Sequence, residues 1–250
     1  YEFREREPFD LSLGGSYVND EGEGGFLQFR HMNMFGYGGR GLLSWRFGPQ
    51  RRFLAAELEA PRVLGVPLSA HDTVYWERNR PWWYADGEPV ARRQFELAGV
   101  QMSSGVALSE ATVLSLVVSA VNGLRFGHRA LGLRREGWRE RSIELALVTD
   151  GLDDPFLPTK GLFQKLVVRR GLERLGGTVS GNTVEGDERW YVPWRDLVWG
   201  FLLRFGFVPN RYPEELWYRL GGPAGFQGLR RGELWRPCFA AATLETQYRY

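Results

Sequence analysis

An all-β chain, folded as a transmembrane antiparallel up-and-down β-barrel, is what three features of the sequence predict. First, its 250 residues include ten Trp, ten Tyr and sixteen Phe, an aromatic load expected where rings must sit at two membrane interfaces. Second, no window approaches the ~20 apolar residues that a spanning helix requires. Third, several segments alternate large apolar residues with small or charged ones at the period of a strand, and long helical periodicity is absent. Composition alone fits a soluble β-sandwich equally well.

The alternation is clearest at 197–208. Leu197, Trp199, Phe201, Leu203, Phe205 and Phe207 fall on one face, and Val198, Gly200, Leu202, Arg204, Gly206 and Val208 on the other. A soluble sheet would bury the large face in a core, whereas a barrel would turn it to lipid. At 53–60, Leu54, Ala56, Leu58 and Ala60 alternate with Phe53, Ala55, Glu57 and Glu59. At 239–250, Ala240, Ala242, Leu244, Tyr248 and Tyr250 alternate with Phe239, Thr243, Glu245, Gln247 and Arg249. Charge gathers on one face each time, as a wet lumen permits, so Glu57, Glu59 and Arg204 are expected to line it.

Weaker candidates fill the rest in order: 9–18, 25–35, 40–47, 67–78, 91–103, 111–124, 140–149, 161–170, 177–192 and 215–221. With the three above, about thirteen segments have strand length, and single-chain bacterial barrels usually have an even number. Asn19-Asp20-Glu21-Gly22, Gly48-Pro49-Gln50 and Pro193-Trp194-Arg195-Asp196 suit tight turns on one rim. The longer joints 79–90, 125–139 and 150–160 suit the opposite, looped rim. One domain is expected over 1–250, with no separate linker.

The formal charge is +2, with acidic residues spread among the basic ones, so no nucleic-acid-binding stripe is present. Cys238 stands alone, which excludes an intramolecular disulfide or a cysteine metal cage. His31, His71 and His128 lack metal-ligand spacing. In Gly177-Thr178-Val179-Ser180-Gly181 the serine is one position out of frame for a nucleophile elbow, and no phosphate-binding loop of the G-x-x-x-x-G-K type occurs. Asp150, Asp153 and Asp154 read as a polar lead-in to a strand rather than a calcium site. No catalytic residue, metal or cofactor is expected. A start at Tyr1, without an initiator Met, is expected of a processed exported protein or of an excised domain.

Three stretches resemble the barrel of the outer-membrane assembly and translocation superfamily, the BamA/TamA type. Asn33-Met34-Phe35-Gly36-Tyr37-Gly38, then Pro61-Arg62-Val63-Leu64-Gly65, is similar to the family's turns after its second and fourth strands. Asp154-Pro155-Phe156-Leu157-Pro158-Thr159-Lys160-Gly161 is similar to its D-P-x-x-P-T-x-G lead-in to a mid-barrel strand, followed by Tyr191-Val192-Pro193-Trp194 at a turn. Leu220-Gly221-Gly222-Pro223 through Phe226-Gln227-Gly228-Leu229, then Glu233-Leu234, is similar to its L-G-G strand end and the long loop that folds into the lumen. The last phrase also resembles the barrel attached to some secreted patatin-like phospholipases, whose hydrolase lies upstream in a separate domain.

The resemblance implies an integral outer-membrane barrel that assists insertion or translocation of other proteins through a weakly paired seam. Leu11 and Leu13 on the first strand, with Tyr248 and Tyr250 on the last, are the seam candidates. Implied partners are outer-membrane lipids or lipopolysaccharide, unfolded outer-membrane protein clients and accessory assembly subunits. The alternatives are a barrel anchor or translocator for a phospholipase, and a pore. The implied loop tip is Phe226, Gln227, Gly228, Leu229, Arg230 and Arg231, with Glu245 as its acidic partner on the lumen wall.

Two departures from the family stand out. Gln227 occupies the tip position where the family usually has Arg, and it lacks the charge and bidentate fork of Arg; Arg230 or Arg231 would then substitute. The family barrel has sixteen strands against the twelve to thirteen visible here, so C-terminal strands are expected to be missing or the barrel shortened. The family's periplasmic peptide-binding repeats are not among these residues.

Overall fold

The computed structural model describes residues 8–18, 22–34, 36, 38–61, 63, 67–85, 87–128, 132, 134–222, 229–230 and 232–248. Chain order gives β1 (Phe9–Val18), β2 (Gly22–Met34), β3 (Gly39–Phe47), β4 (Arg51–Ala60), β5 (Leu68–Asn79), β6 (Trp82–Ala85), β7 (Glu88–Arg92) and β8 (Phe95–Ala107). There follow β9 (Thr112–Arg125), β10 (Glu136–Asp150), β11 (Gly161–Gly171), β12 (Gly181–Trp194), β13 (Leu197–Phe207), β14 (Tyr218–Leu220), β15 (Leu234–Arg236) and β16 (Cys238–Tyr248).

Twelve of these form one meandering sheet, β1-β2-β3-β4-β5-β8-β9-β10-β11-β12-β13-β16, with every neighbouring pair antiparallel. Among the described residues no register joins β16 back to β1. The sheet strands run from 9 to 15 residues; at ~3.3 Å per residue they are long enough to cross a bilayer core on a tilt.

Period-2 alternation decides what each strand shows to either side. In β13, Val198, Gly200 and Gly206 are buried on the inner face, while Phe201 and Phe207 stand exposed on the outer one. In β4, Leu54, Ala56 and Leu58 point out and Ala55 is buried inside against Ser44 of β3. The outer face continues as an exposed apolar belt through Leu43, Leu116, Leu145, Val168, Phe201 and Leu244. A belt this extensive matches a hydrocarbon surrounding rather than water.

The thirteenth expected strand, 215–221, is not part of the sheet. Only Tyr218–Leu220 is extended, and it pairs with Leu234–Arg236 in a small separate hairpin. Its residues interact with the interior instead of extending a ladder, and the count becomes an even twelve. β6 and β7 form a second small hairpin inside the joint between β5 and β8, within a stretch expected to be loop.

The expected division of the rims also needs correction. An antiparallel meander places alternate joints at opposite ends. The tight joints 19–21 and 48–50 therefore share a rim with the long ones 80–94, 126–135, 172–180 and 208–237; we call this the long rim. The 151–160 joint lies on the short rim, with 35–38, 61–67, 108–111 and 195–196.

The 151–160 joint is built by its carboxylates. Asp153 Oδ1 accepts from the amides of Thr159 (2.8 Å) and Lys160 (3.1 Å), and its Oδ2 accepts from the Thr159 hydroxyl (2.6 Å). Asp154 Oδ1 accepts from the amides of Phe156 and Leu157. Gly161 closes the turn at φ 114°, where an added Cβ would stand 2.2 Å from the Gly151 carbonyl oxygen; the glycine ending this lead-in is a steric requirement.

Candidate functional site

The buried cluster of this chain lies under the long rim, not at mid-sheet. It comprises Phe95, Trp138, Val179, Val208, Tyr212 and Trp235, with Trp83, Leu97, Leu216, Trp217 and Tyr218 packed against it. Most of the loop residues come from 208–237, whose first leg is tied down by two tyrosine side chains. The Tyr212 hydroxyl donates to the Gly181 carbonyl (3.2 Å), and the Tyr218 hydroxyl donates to the Val184 carbonyl (3.3 Å). Trp138 lies over Gly123, where an added Cβ would come within 2.1 Å of the indole. The glycine supplies a slot that a side chain would fill.

At the centre of the cluster is Arg93, 2% exposed. Its Nη1 donates to Glu214 Oε2 at 2.6 Å and its Nη2 to Glu215 Oε1 at 2.8 Å. The guanidinium lies 4.5 Å from the ring centroid of Trp83 and 5.0 Å from that of Trp235, and the two indoles meet edge to face at 5.2 Å. Arg125 Nη1 stands 3.7 Å from Glu215 Oε1 and also pairs with Glu136. Arg219 reaches over Phe95 and Trp235, 5.3 Å from each, while remaining open to water.

Burying this pair costs several kcal/mol of desolvation per ion, offset by Coulomb attraction in a poorly polarisable site. The aromatic faces add cation–π attraction. Two atoms of the pair, Arg93 Nε and Glu215 Oε2, have no hydrogen-bond partner among the described residues. The arrangement therefore contributes fixed placement of the loop more than raw stability.

Below the anchor the inner wall is charged and cross-paired. Glu57, Glu59 and Arg204, the expected lumen charges, all lie on the inner face. Glu57 meets His71 Nε2 at 3.3 Å, Glu59 meets Arg40 at 3.7 Å, and Arg204 meets Asp187 at 3.8 Å. Arg169 bridges Glu144 (2.7 Å) and Glu140 (3.6 Å). Each predicted charge has a polar partner one strand away, a charge of opposite sign for Glu59 and Arg204 and an imidazole for Glu57.

The expected tip contact is not what the described residues make. Arg230 approaches Glu88 of β7 at 3.9 Å, and its backbone N–H donates to Glu233 Oε2 at 2.7 Å. Glu245 is inward-facing opposite Gly200, as the alternation predicts, but its neighbours are Gln247 (3.4 Å) and the Tyr191 hydroxyl. It lies seven residues down β16 from the long rim, roughly 23 Å at strand rise, which places it far from Arg230. Leu229 is described as half-buried; Phe226, Gln227, Gly228 and Arg231 lie outside the described residues.

Of the seam candidates, Leu11 and Leu13 are outward-facing on β1, with Leu13 76% exposed, and Tyr248 is outward-facing on β16. Tyr250 lies outside the described residues. Among the described residues β1 pairs with β2 alone.

Sequence reasoning missed Arg93, Glu214, Glu215, Trp83 and Trp235. The signal was present in Trp82-Trp83 and Arg92-Arg93, and in Pro213-Glu214-Glu215, a helix-start pattern that runs into the stretch read as strand at 215–221. Nothing in the sequence says that residues more than a hundred positions apart meet. Among the described residues no group of three or more His, Cys, Asp or Glu is arranged to hold a metal ion.

The family profile described as "Omp85 superfamily domain" matches residues 33–211. Many solved chains resemble this one, and two of them illustrate the likeness. BamA from Haemophilus ducreyi lacking POTRA domains 1–3 superposes with a TM-score of 0.79 at 14% identity, covering 92% of this chain and 47% of that one. CdiB from Acinetobacter baumannii superposes with a TM-score of 0.58 at 16% identity, covering 97% of this chain and 46% of that one. The chain thus spans just under half the length of each. No curated protein sequence matches it.

Proposed function

Because the chain belongs to the Omp85 superfamily, an integral outer-membrane barrel type, we propose that it assists insertion or translocation of other outer-membrane proteins, with β1 as the docking edge. The observation that carries this reading is that, among the described residues, β1 pairs on one side only. Its free side offers a row of backbone N–H and C=O groups, which an incoming strand can satisfy by β-augmentation. Gly14-Gly15-Ser16 within β1 lowers its hold on β2, since glycine weakens a strand interior. The loop anchored at Arg93 keeps the interior filled while that edge is engaged.

Orientation follows from loop length. Outer-membrane barrels carry short periplasmic turns and longer extracellular loops, which puts the long rim, with the anchored 208–237 loop, outside the cell. Clients are unfolded outer-membrane proteins, and the reading assigns no catalysis to the chain.

A photo-crosslinking residue at Leu13 tests the proposal. Capture of a nascent barrel protein is expected there and not at Leu145, which faces lipid at mid-sheet. A disulfide lock, Leu11→Cys with Tyr248→Cys in a Cys238→Ser background, is expected to stop client insertion in reconstituted vesicles. Undiminished insertion through the locked barrel would sink the seam mechanism. A pore reading is less well supported, because Glu59 and Arg204 each face a cross-strand partner of opposite charge and Glu57 stands 3.3 Å from the His71 ring.

A further inference from the structure

The outer face is not uniformly apolar up to the long rim. On β10 and β11 and the adjoining loops it carries Arg139, Arg141, Arg170, Arg174 and Arg211, all exposed except the half-buried Arg141. They sit just above Val118, Ile143, Leu145, Leu166 and Val168, outward residues of the apolar belt. Among the described residues none of the five arginines forms an ion pair. Arg141 donates instead to the Val121 carbonyl and to Asn122 Oδ1 (2.9 Å each), and Arg170 donates to Asn182 Oδ1 (3.1 Å). Arg170, Arg174 and Arg211 line a cleft of about 550 Å³ together with Ser180 and Asn182. Its one carboxylate, Glu173, accepts a hydrogen bond from the Ser180 hydroxyl.

Elsewhere along the same rim the outer face is different. Arg78 of β5 is paired with Glu96 of β8, and Glu23 lines a cleft with Arg52. Charge there is balanced locally. At the other rim, the same sector ends on Trp190, Val192 and Trp194, all exposed.

Arginine facing lipid costs ~2–4 kcal/mol at mid-depth and about 0–1 near the interface, so this cluster has to lie at headgroup level. Unpaired guanidinium groups there are matched to phosphate, whose oxygens they bind bidentately. We propose that the face above β10–β12 is a docking site for the phosphorylated headgroup of an outer-leaflet lipid of the lipid A class. Arg170 and Arg211 hold one phosphate in the cleft. Arg141, held to β9 by its hydrogen bonds, adds only its positive charge nearby, and the acyl chains lie down the belt through Ile143, Leu145 and Val168. The site rests on the membrane setting and rim orientation given above. It does not depend on client insertion.

The full chain, folded in phosphatidylcholine nanodiscs, is offered bis-phosphorylated lipid A or its dephosphorylated form, and retained lipid is counted by native mass spectrometry. Retention of the phosphorylated form is expected to fall at least tenfold in an Arg141→Gln/Arg170→Gln/Arg211→Gln variant whose heat-modifiable gel migration is unchanged. Arg52→Gln/Arg78→Gln serves as the control and is expected to retain it fully. If the triple variant also fails to fold, Arg211→Gln alone is measured, with a loss of at least threefold expected. Equal retention of the dephosphorylated lipid, or loss-free retention by the variants, overturns the site. Displacement by millimolar inorganic phosphate would show a free-anion site and overturn the lipid assignment. Client insertion by the triple variant is scored separately, so failure of this site and failure of the seam are read apart.

Discussion

At Arg93 a buried cation is gripped by two carboxylates and two indoles drawn from widely separated parts of the chain. At β1, ten residues are held to the sheet, among the described residues, through β2 alone, with Phe9, Leu11, Leu13 and Tyr17 exposed outward. The two regions lie in the same twelve-stranded sheet system and are stabilised by different means. One is over-determined by side chains; the other depends on a single backbone ladder. The contrast teaches that order here is concentrated where the loop enters, which leaves an edge free to exchange partners. Local opening follows the weakest set of contacts, and in this fold that set lies at β1.

The strongest way to break the comparison is at its rigid end. Arg93→Ala leaves Glu215 buried without its main partner and is expected to cost about 3–5 kcal/mol, read from the denaturant midpoint in detergent. Adding Glu215→Gln removes the stranded charge and is expected to restore part of the loss. A cost below about 1 kcal/mol would mean that the anchor does not hold the loop.

Next comes a lipid-facing charge. Leu145→Arg, on a strand paired on both sides, is expected to cost about 2–4 kcal/mol. Leu13→Arg is expected to cost less, because the penalty is capped by the free energy of releasing β1. Equal costs would erase the distinction between edge and interior.

Smaller again is Gly123→Ala. The methyl group would occupy the space of the Trp138 indole and is expected to cost about 1–3 kcal/mol through overpacking, with a shift in Trp fluorescence reporting the displaced ring.

The smallest effect concerns the 151–160 joint, held by neither region. The Thr159 hydroxyl, then the amides of Lys160 and Thr159, keep the Asp153 carboxyl well below the ordinary carboxylate range. A depressed folded value means that the turn's stabilisation is present above the unfolded value near ~3.9 and is lost as pH falls through the folded one. Carboxyl-carbon NMR should show Asp153 titrating well below the ordinary carboxylate range, and Thr159→Val should bring it back toward that range.

Much of the barrel was legible because alternation is a local signal. Phe201 against Val198, or Leu54 against Ala55, declares its face from two neighbouring positions. Gly161 was legible as part of a motif, and the structure supplies its reason in the carbonyl oxygen of Gly151. The loop was harder. Tyr218 and Leu220 carry strand-like alternation, yet they pair in a hairpin off the main sheet, and periodicity does not distinguish the two. Glu245 lies on the inner face that alternation predicts, but alternation says nothing of its partner, because face is a property of one strand whereas partnership depends on depth along two. Arg93 could not be picked out from dozens of charged residues without knowing which joints fold over the interior.

That separation has a consequence in time. Arg93 and Glu215 are 122 residues apart in the chain, and the six sheet strands between them, β8 to β13, must be drawn together before they are neighbours. Contacts between such distant positions return nothing until the intervening chain is closed, so they form late. The Trp83–Arg93–Trp235 stack is then a marker of completion. Its indole signal should appear after strand pairing has finished, and it separates a sheet that is merely assembled from one whose loop has been secured.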